Sequence, residues 1–440
     1  MSNINYLEFA ETLVQYGRKN GADQMQVSIN RSNNFSVDVR NQQIEKLTEA
    51  GSSSLALKII IDSRVATASS SDFSLSTLQE LIKDTIKRAK ISGSDPYSAL
   101  PEKESITAHE DQLKLYDPSV ETISPESKIN YARELEKIGM ADKRIKVSGG
   151  ASYSTGTGER MLANSNGFSN SYKYSHCSAG LSLQAGEGEN QFEDGWYESS
   201  IKYGSIPAAE YIAKKAIDRT TRLLGAIKVQ TQKVPVIFEP NMTSSLLGFL
   251  AQCLNGNAIY MSQSFLKDKL NQKIGSDLVN IIDDGTLPGL LGSKPFDGEG
   301  VPTRKNIIFQ GGVLKSYLLN SYAARKLKLK STGNASGANN FILQAGNSSI
   351  EEMIKSIDNG LLLTNTIGQG TVATTGDYSK GAYGIWIEKG KLAYPVAEIT
   401  INGNLAQMLA DIEMLGSDLD YRRPVTGPSI KIKEMSVSGK

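Results

Sequence analysis

The sequence predicts an α+β fold in which helices and mainly antiparallel strands alternate within two or three domains. Apolar residues recur at helical spacing in some stretches and at every second position in others, as expected for amphipathic helices and half-buried strands. The chain has 440 residues, more than one compact core usually contains. Its 40 glycines, together with 39% hydrophobic residues, indicate a folded protein with many tight turns.

The first predicted unit, residues 1–118, is an N-terminal helix and strand layer domain. Two helices are indicated by apolar stripes at Leu7, Ala10, Val14 and Gly17, and at Leu75, Leu78, Ile82, Ile86 and Ala89. Alternation predicts a strand pair and one further strand, at Met25, Val27 and Ile29, at Phe35, Val37 and Val39, and at Leu55, Leu57, Ile59 and Ile61. Turn signals at Asp95-Pro96 and Asp117-Pro118 mark the end of this unit.

The second predicted unit, residues 119–229, is a strand meander with flanking helices. Ser124 followed by Pro125 predicts the start of a helix that Gly139 should end. Polar strands are predicted over residues 144–153, 160–163, 168–183 and 191–200, with a hairpin turn at residues 164–167. A helix over residues 207–224 closes the unit before Gly225.

The third predicted unit, residues 230–440, is a β-rich C-terminal domain that begins with a strand at residues 234–238. Two glycine-tipped hairpins, at residues 308–314 and 386–392, are each followed by a strand and a helix. The helices are expected over residues 321–327 and 405–415. An internal duplication and independent use of the same turn chemistry both remain open as explanations of this similarity.

Composition argues against several kinds of partner. Lys and Arg number 48 and Asp and Glu 47, and the charges are evenly mixed, so neither nucleic acid nor an anionic membrane is favoured. Cys177 and Cys253 are the only cysteines and have no metal-knuckle spacing, so we expect both to be reduced thiols of an intracellular protein. Residues 1–9 lack a basic segment followed by an apolar run. We therefore expect a cytoplasmic location.

A set of ordered motifs in the C-terminal half resembles one known family. These are residues 282–288 (IDDGTLP), 295–303 (PFDGEGVPT), 312–318 (GVLKSYL), 324–327 (ARKL), 331–334 (STGN), 376–379 (GDYS) and 416–419 (GSDL). Their order is similar to that of the TldD/PmbA family of metallopeptidase subunits, whose older description is modulator of DNA gyrase. The specific resemblance covers roughly residues 233–420.

The resemblance also identifies where a catalytic member would bind metal. In the catalytic members, one helix contains the motif His-Glu-x-x-x-His, and the equivalent helix of this chain is expected near residues 241–254. Such a site uses neutral imidazoles as metal ligands and a glutamate as the base. This chain instead has SLLGFLAQC at residues 245–253, which places Leu247, Gly248 and Gln252 at the three positions. The only histidines are His109 and His176, and no cysteine follows Cys253. The chain thus resembles the PmbA/TldE branch, which lacks this motif.

The resemblance implies a non-catalytic subunit of a cytoplasmic peptidase complex that processes or degrades unfolded peptides. The expected partner is a TldD-like catalytic subunit, and zinc is expected only there, so no cofactor is predicted for this chain. A homodimer is the alternative when that partner is absent. Two other functions stay open: a binding protein that modulates DNA gyrase or an antitoxin, and a peptidase with atypical oxygen ligands such as Asp297 and Glu299.

Several further residues are candidates for the peptide cleft or the subunit interface. These are Asp297, Glu299, Asn334, Asp377 and Ser379. The cluster of Asp283, Asp284, Asp297 and Glu299 has the oxygen atoms that a hard cation or an acid/base pair requires, but neighbouring Gly and Pro favour turn chemistry. Residues 341–343 are a candidate exposed strand edge for peptide addition.

Other patterns are better explained by structure. His176 and Cys177 are adjacent in a strand, so their side chains face opposite sides and cannot chelate one ion. The segment at residues 109–111 (HED) is expected to be a solvated loop. Ser264 and Lys267 form Ser-x-x-Lys without the other elements of a serine acyl-enzyme. The glycine-rich residues 368–384 lack the Lys and Ser/Thr of a phosphate loop.

Overall fold

The structure, a computed structural model, describes residues 5–106 and 108–440. Residues 1–4 and 107 of the predicted N-terminal domain lie outside the described residues. The described part forms eleven α-helices, two short 3-10 helices (Gly188–Asn190 and Tyr203–Ser205) and eighteen strands in three sheets. None of the helices in this part of the chain is long and apolar enough to cross a membrane.

The helices are α1 (Tyr6–Lys19), α2 (Leu75–Ile91), α3 (Glu110–Leu113), α4 (Ser119–Thr122), α5 (Pro125–Met140), α6 (Ala209–Thr221), α7 (Pro240–Cys253), α8 (Gly256–Tyr260), α9 (Ser321–Leu327), α10 (Ile350–Lys355) and α11 (Leu405–Ala410). The first nine strands are β1 (Gln24–Arg40), β2 (Gln43–Ile61), β3 (Arg64–Ser70), β4 (Ile145–Asn164), β5 (Ser169–Ala185), β6 (Phe192–Ser200), β7 (Gln232–Phe238), β8 (Ile281–Asp284) and β9 (Lys305–Gln310). The others are β10 (Val313–Leu314), β11 (Phe341–Leu343), β12 (Asn359–Ile367), β13 (Thr371–Val372), β14 (Asp377–Glu388), β15 (Lys391–Asn404), β16 (Ile412–Leu415), β17 (Val425–Thr426) and β18 (Ile430–Ser438).

One antiparallel sheet runs through both the first and the second predicted unit. Its strand order is β3-β2-β1-β4-β5-β6, and we call it the N-terminal sheet. The strand pair predicted around residues 25–29 and 35–39 is wrong, because β1 is a single strand of 17 residues. Its polar middle stays in the sheet because β2 and β4 pair with it on both sides. The proposed boundary near residue 118 thus separates two helical layers on one shared sheet.

Each end of β1 supports a different hydrophobic core. Met25, Val27 and Ile29 pack with α1 and α2, whereas Val37 and Val39 pack with α5 and α6. All five positions are odd-numbered and lie on the same face of the strand, since successive side chains alternate. Both helical layers therefore cover one face of the N-terminal sheet.

Helix α5 begins as predicted but ends later. The Ser124 side chain caps it by accepting a hydrogen bond from the Ser127 amide, and Pro125 is its first residue. Gly139 lies inside the helix rather than ending it. A Cβ at this glycine would stand 2.6 Å from Leu181 Cδ2 and 3.2 Å from Leu183 Cδ2. The glycine thus serves the close approach of the helix to β5.

The strands of the middle unit are also longer than predicted. The segments expected at residues 144–153 and 160–163 are one strand, β4, because β1 and β5 pair with it on both sides. The hairpin turn at residues 164–167 is confirmed, and Gly167 there has a φ of +87°. The Asn164 side chain stabilises the turn by accepting hydrogen bonds from the amides of Asn166 and Phe168.

The C-terminal unit contains the other two sheets. The smaller has the order β10-β9-β8-β11-β17, and the larger has the order β12-β7-β18-β15-β14-β13. The larger sheet closes on itself because β12 pairs with both β7 and β14. Strands of both sheets and α7 enclose the largest hydrophobic core.

Two sequence predictions in this unit are wrong. The expected helix over residues 405–415 ends at Ala410, and Ile412–Leu415 form β16, which pairs with β18. The apolar residues that suggested one helix belong to two elements, since Leu405, Met408 and Leu409 lie in α11 and Ile412 lies in β16. The expected exposed edge at Phe341–Leu343 is an interior strand, since β11 pairs with β8 on one side and β17 on the other. All three of its residues are buried, so strand addition is blocked there.

Candidate functional site

Helix α7 contains Leu247, Gly248 and Gln252, which the sequence resemblance aligns with the metal-binding positions of catalytic relatives. It begins at Pro240 directly after β7, and proline is well suited to a first helical position because its ring fixes φ. Leu246, Leu250 and Cys253 lie in the hydrophobic core. This face fixes the rotation of the helix about its axis, and hence which side chains reach solvent.

The three positions have different environments. Leu247 is only 2% exposed. It packs so closely on Gly427 that a Cβ at that glycine would stand 2.9 Å from Leu247 Cδ1. Gly248 faces open space, with no atom beyond its chain neighbours and the nearby backbone of its own helix within 4 Å of an added Cβ, and Gln252 is exposed.

These residues do not fit the metal centre that the sequence resemblance implies. A leucine methyl group and a glycine provide no ligand atom, and a glutamine amide is a poor substitute for the imidazole that zinc prefers. Within residues 5–106 and 108–440, no group of three or more His, Cys, Asp or Glu side chains is arranged to hold a metal ion.

A cleft of about 680 Å³, which we call the α7 cleft, opens at the first turn of this helix. Its walls come from β6, α6, the start of α7 and residues 418–422. Arg219 forms ion pairs with Asp194 at 2.9 Å and with Glu239 at 3.0 Å, and Arg222 pairs with Glu239 at 2.6 Å. Burial alone would raise the pKa of Glu239, but Arg222 and Arg219 together hold that pKa below its usual value.

A third arginine joins the walls of the α7 cleft. The guanidinium of Arg422 lies over the Trp196 ring, 3.6 Å from its centroid. It donates hydrogen bonds to the Tyr197 carbonyl at 2.7 Å and to Asn241 Oδ1 at 3.2 Å. It also forms an ion pair with Asp420 at 2.5 Å. One side chain thus connects β6, α7 and the C-terminal segment.

The α7 cleft has the features of a binding surface. Glu239, its most buried carboxylate, is held ionised between two arginines. Tyr211 and Tyr421 at its rim are about half exposed, at 47% and 48%. Exposed aromatic rings beside fixed polar walls are typical of surfaces that bind peptides or proteins.

The predicted carboxylate cluster is part of a folded loop, as the turn interpretation expected. Asp283 accepts hydrogen bonds from the Asn339 amide at 2.6 Å and from Asn334 Nδ2 at 2.8 Å. Asp284 accepts from the amide and the hydroxyl of Thr286. Both carboxylates thus accept hydrogen bonds from the residues around them, as expected for groups that stabilise a loop.

Asp297 and Glu299 also accept from the main chain. Asp297 accepts from the amides of Glu299, Val301 and Ala335 at 2.9 to 3.0 Å. Burial nevertheless raises the pKa of Asp297 to about 6. Glu299 accepts from the Ser321 amide at 2.9 Å, at the start of α9. The structure thus brings Asp297, Glu299 and Asn334 into one region.

Asp377 and Ser379 lie elsewhere. Both are exposed on β14 of the larger C-terminal sheet and share no hydrogen bond with the Asp297 loop in the described structure. Asp377 accepts from the Thr375 hydroxyl at 2.6 Å, and Ser379 donates to Asn402 Oδ1 at 2.6 Å. The five candidate contact residues therefore form two separate groups.

The remaining histidine and cysteine candidates have structural environments. Cys177 is fully buried, and burial raises the pKa of its thiol to about 12. His176 lies on the opposite face of β5. The loop expected around His109 contains the short helix α3, and Glu110 accepts a hydrogen bond from the Lys173 amide.

The Ser-x-x-Lys pair does not form a nucleophile and base. Ser264 donates to the Cys253 carbonyl at 2.6 Å and accepts from the Leu266 amide. Lys267 donates to Ser262 at 2.8 Å instead. The hydroxyl of Ser264 therefore ties the end of α7 to the following loop.

Comparison with known proteins identifies the family. Three family models match in order: the PmbA/TldA metallopeptidase domain 1 at residues 26–89, the central domain at 118–224 and the C-terminal domain at 231–439. The metalloprotease PmbA homolog of Buchnera aphidicola subsp. Acyrthosiphon pisum (strain APS) is 34% identical over 96% of this chain and 94% of its own length. This chain belongs to the PmbA/TldD metallopeptidase family.

Other relatives agree with this assignment. Metalloprotease PmbA of Escherichia coli O157:H7 is 32% identical over 96% of this chain and 93% of its own length. A crystal structure from Bacteroides thetaiotaomicron VPI-5482, described as a candidate modulator of DNA gyrase, superposes with a TM-score of 0.94 at 30% identity over all of both chains. The α+β fold and the family resemblance predicted from the sequence are confirmed.

Sequence reasoning did not find the residues of the α7 cleft. Arg219 and Glu239 come from opposite sides of the boundary predicted near residue 229, and Arg422 lies about 180 residues further on. No local motif connects them. The one local signal was the order of strand β7, then Glu239-Pro240, then a helix, which marks a helix start beside an acidic residue.

Proposed function

We propose that this chain is a non-catalytic subunit of a cytoplasmic metallopeptidase complex that processes unfolded peptides. It would complete a peptide chamber, and a TldD-like subunit would supply the metal in its His-Glu-x-x-x-His helix. The observation that carries the proposal is the identity of Leu247, Gly248 and Gln252 on α7. The first is a buried apolar residue, the second has no side chain and the third is an exposed amide.

Contacts for the peptide and the partner are part of the proposal. The α7 cleft has exposed Tyr211 and Tyr421 at its rim and rigid ion pairs below, so we assign it to peptide binding. Asp377 and Ser379 are exposed, and we assign them to the subunit interface or to peptide contact. The buried carboxylate of Asp297 has a supporting role in the loop at residues 297–303.

The test compares this chain alone, a His-Glu-x-x-x-His homologue from the same genome alone, and the two mixed. Zinc content and cleavage of an unfolded casein peptide are measured for each, with chain masses from light scattering. We expect a stable heteromer that contains zinc and is active, and a lone chain with neither property. Stoichiometric zinc together with peptide cleavage by the lone chain would rule out the proposal.

A control separates the subunit role from general stabilisation of the partner. The double variant Tyr211→Ala and Tyr421→Ala changes only exposed cleft residues and should leave the complex intact. We expect it to weaken peptide binding without lowering the zinc content. Unchanged KM and kcat in this variant would remove the α7 cleft from the proposal.

A second candidate function is suggested by the description of the Bacteroides protein as a modulator of DNA gyrase. In this version, the chain binds gyrase or an antitoxin without proteolysis. A pull-down with the full chain as bait distinguishes the two. Recovery of gyrase subunits without a TldD-like protein would favour this version over the peptidase subunit.

A peptidase with oxygen ligands at Asp297 and Glu299 is the third candidate. The engagement of these carboxylates by amide donors speaks against it, since both already serve to hold the main chain around them. Asp297→Ala and Glu299→Ala variants that keep the metal content and activity of the assembled complex would eliminate it.

A further inference from the structure

A second cleft, of about 350 Å³, lies where the N-terminal sheet meets the C-terminal domain. One wall comes from β4 and β5, and the other from the loop at residues 291–294. Its lining includes Arg160, Tyr174, His176 and Lys294, and no carboxylate is among the described residues that line it. We call it the interdomain cleft. A partly buried space with this excess of cationic groups favours a negatively charged occupant.

The two cations of the interdomain cleft have no carboxylate partner. Within the described chain, no carboxylate oxygen lies within 4.0 Å of a side-chain nitrogen of Arg160 or Lys294. Arg160 donates through Nε to Asn30 Oδ1 at 2.8 Å. The Lys294 ammonium donates no hydrogen bond to a described residue. Two charges thus face the same small space with most of their donors unused.

Burial makes the charge of Lys294 costly. It lowers the pKa of Lys294, the charge of Asp283 opposes that change, the charge of Arg160 lowers the pKa further, and Asp297 opposes it more weakly. Asp283 is itself occupied by the donors of Asn339. An anion in the cleft would offset the repulsion between the two cations directly.

Tyr174 and His176 also line the cleft. Neither the Tyr174 hydroxyl nor the His176 ring makes a hydrogen bond to another residue in the described structure. Burial lowers the pKa of His176, so its ring is mainly neutral at pH 7 and can still donate one N–H. The nearby Ser175 and Ser293 hydroxyls are already bonded to the main chain.

We propose that the interdomain cleft binds a small oxyanion, a phosphate or carboxylate group, between Arg160 and Lys294. The planar guanidinium matches the paired oxygens of either group, and the ammonium supplies a second charge. Tyr174 and His176 supply neutral donors to the remaining oxygens. The site is separate from α7 and does not depend on the proposed peptidase partnership.

Calorimetric titration of the full chain with inorganic phosphate tests the proposal, with acetate titrated in parallel at constant ionic strength. We expect saturable binding. Lys294→Met and Arg160→Met should each weaken it at least about tenfold, the loss expected for one charge-assisted hydrogen bond. Lys173→Met is the matched control, because Lys173 is exposed on β5 and its side chain points to the opposite face from Tyr174. This control should bind like the wild type.

The outcomes are distinct. Binding of phosphate but not acetate supports a phosphate group as the ligand, and binding of acetate but not phosphate supports a carboxylate, such as a peptide C-terminus. Comparable binding of both supports a general oxyanion site. No saturable binding of either anion overturns the proposal, as does wild-type affinity in both the Lys294→Met and Arg160→Met variants. Arg160→Lys keeps the charge but loses the planar fork, and we expect intermediate affinity. Thermal unfolding of each variant checks that it is folded.

Discussion

Arg219 has little contact with water, and its charge is balanced by two carboxylates that lie far apart in sequence. It is 8% exposed, and Asp194 and Glu239 contact it from β6 and from the residue preceding α7. A buried guanidinium loses most of its hydration, so the pairing must replace that loss. Glu239 serves Arg222 as well, which makes it the residue on which the wall of the α7 cleft depends.

The change Glu239→Gln should therefore be strongly destabilising. It removes the carboxylate that pairs with Arg222 and leaves Arg219 with Asp194 alone. Removal of one partner from a buried pair costs about 3 kcal/mol. The free energy of unfolding from urea titration measures the effect. Glu434→Gln is the control, since its pair with Lys233 is more than half exposed on both sides; it should cost less than about 1 kcal/mol. Equal losses in the two variants would contradict this account.

The same residue predicts a pH dependence. The folded-state pKa of Glu239 is lower than that of the unfolded chain, so its stabilisation is fully present above the unfolded value of 4.5. It is lost as the pH falls below 4.5 and through the folded-state pKa. In Glu239→Gln, the stability lost on acidification should be smaller than in the wild type, as measured by urea titration across this range. An unchanged acid profile would remove Glu239 as a contributor.

At the scale of elements, periodicity predicted isolated helices well and paired elements poorly. The stripes of α1, α2 and α5 could be predicted because each helix has one apolar face against the N-terminal sheet. The continuity of β1 could not, since its polar middle is held by neighbouring strands rather than by its own pattern. The position of β11 likewise depends on β8 and β17, which are remote in sequence. Such pairing between strands that are distant in sequence cannot be predicted from local sequence patterns.

The hairpin between β9 and β10 provides a paired test of backbone geometry. Gly311 and Gly312 both have positive φ, at +52° and +74°. A Cβ on Gly311 would meet open space, whereas one on Gly312 would stand 2.0 Å from the Gly275 carbonyl oxygen. We expect Gly311→Ala to cost about 1 kcal/mol from backbone strain alone. Gly312→Ala should cost about 3 kcal/mol or more because main chain must move.

Urea unfolding of the two variants measures that difference directly. Both substitutions add the same methyl group in the same turn, so unfolded-state effects should largely cancel. Equal losses would mean that the loop at residues 275–276 yields easily. The contact between the β9–β10 hairpin and residues 275–276 would then contribute little to stability.

Helix α7 allows a second paired test, of the environments of Leu247 and Gln252. Leu247→His places an imidazole in the hydrophobic core and should cost about 2 kcal/mol or more. Gln252→His changes an exposed side chain and should stay within about 0.5 kcal/mol. Urea titration near pH 7.5 checks both. A tolerated Leu247→His would show that this position can turn toward solvent, and would weaken the argument that the helix cannot form a metal site.

At the scale of the whole molecule, the N-terminal sheet and the C-terminal domain meet over an aromatic contact. Phe296, fully buried, lies edge-on to the rings of Phe168 and Tyr172, with centroids 5.0 and 5.2 Å away. Arg325 reinforces the junction by donating to the carbonyls of Tyr97 and Ala99. The sequence motif around Phe296 could be recognised, but its contacts with Phe168 and Tyr172 could not be predicted from the sequence. The loop at residues 295–303, which contains the candidate cleft residues Asp297 and Glu299, thus also stabilises the contact between the domains.

This contact predicts that the two halves are coupled in unfolding. Phe296→Ala removes a fully buried ring at the junction and should cost about 3 to 5 kcal/mol. Because its neighbours belong to β4, β5 and the turn between them, hydrogen exchange followed by mass spectrometry should show lost protection both there and in residues 295–303. Phe309→Ala is the control, since Phe309 is 1% exposed within the C-terminal core. It should affect only the C-terminal domain, and a Phe296→Ala effect restricted to residues 295–303 would show that the domains are not coupled through this ring.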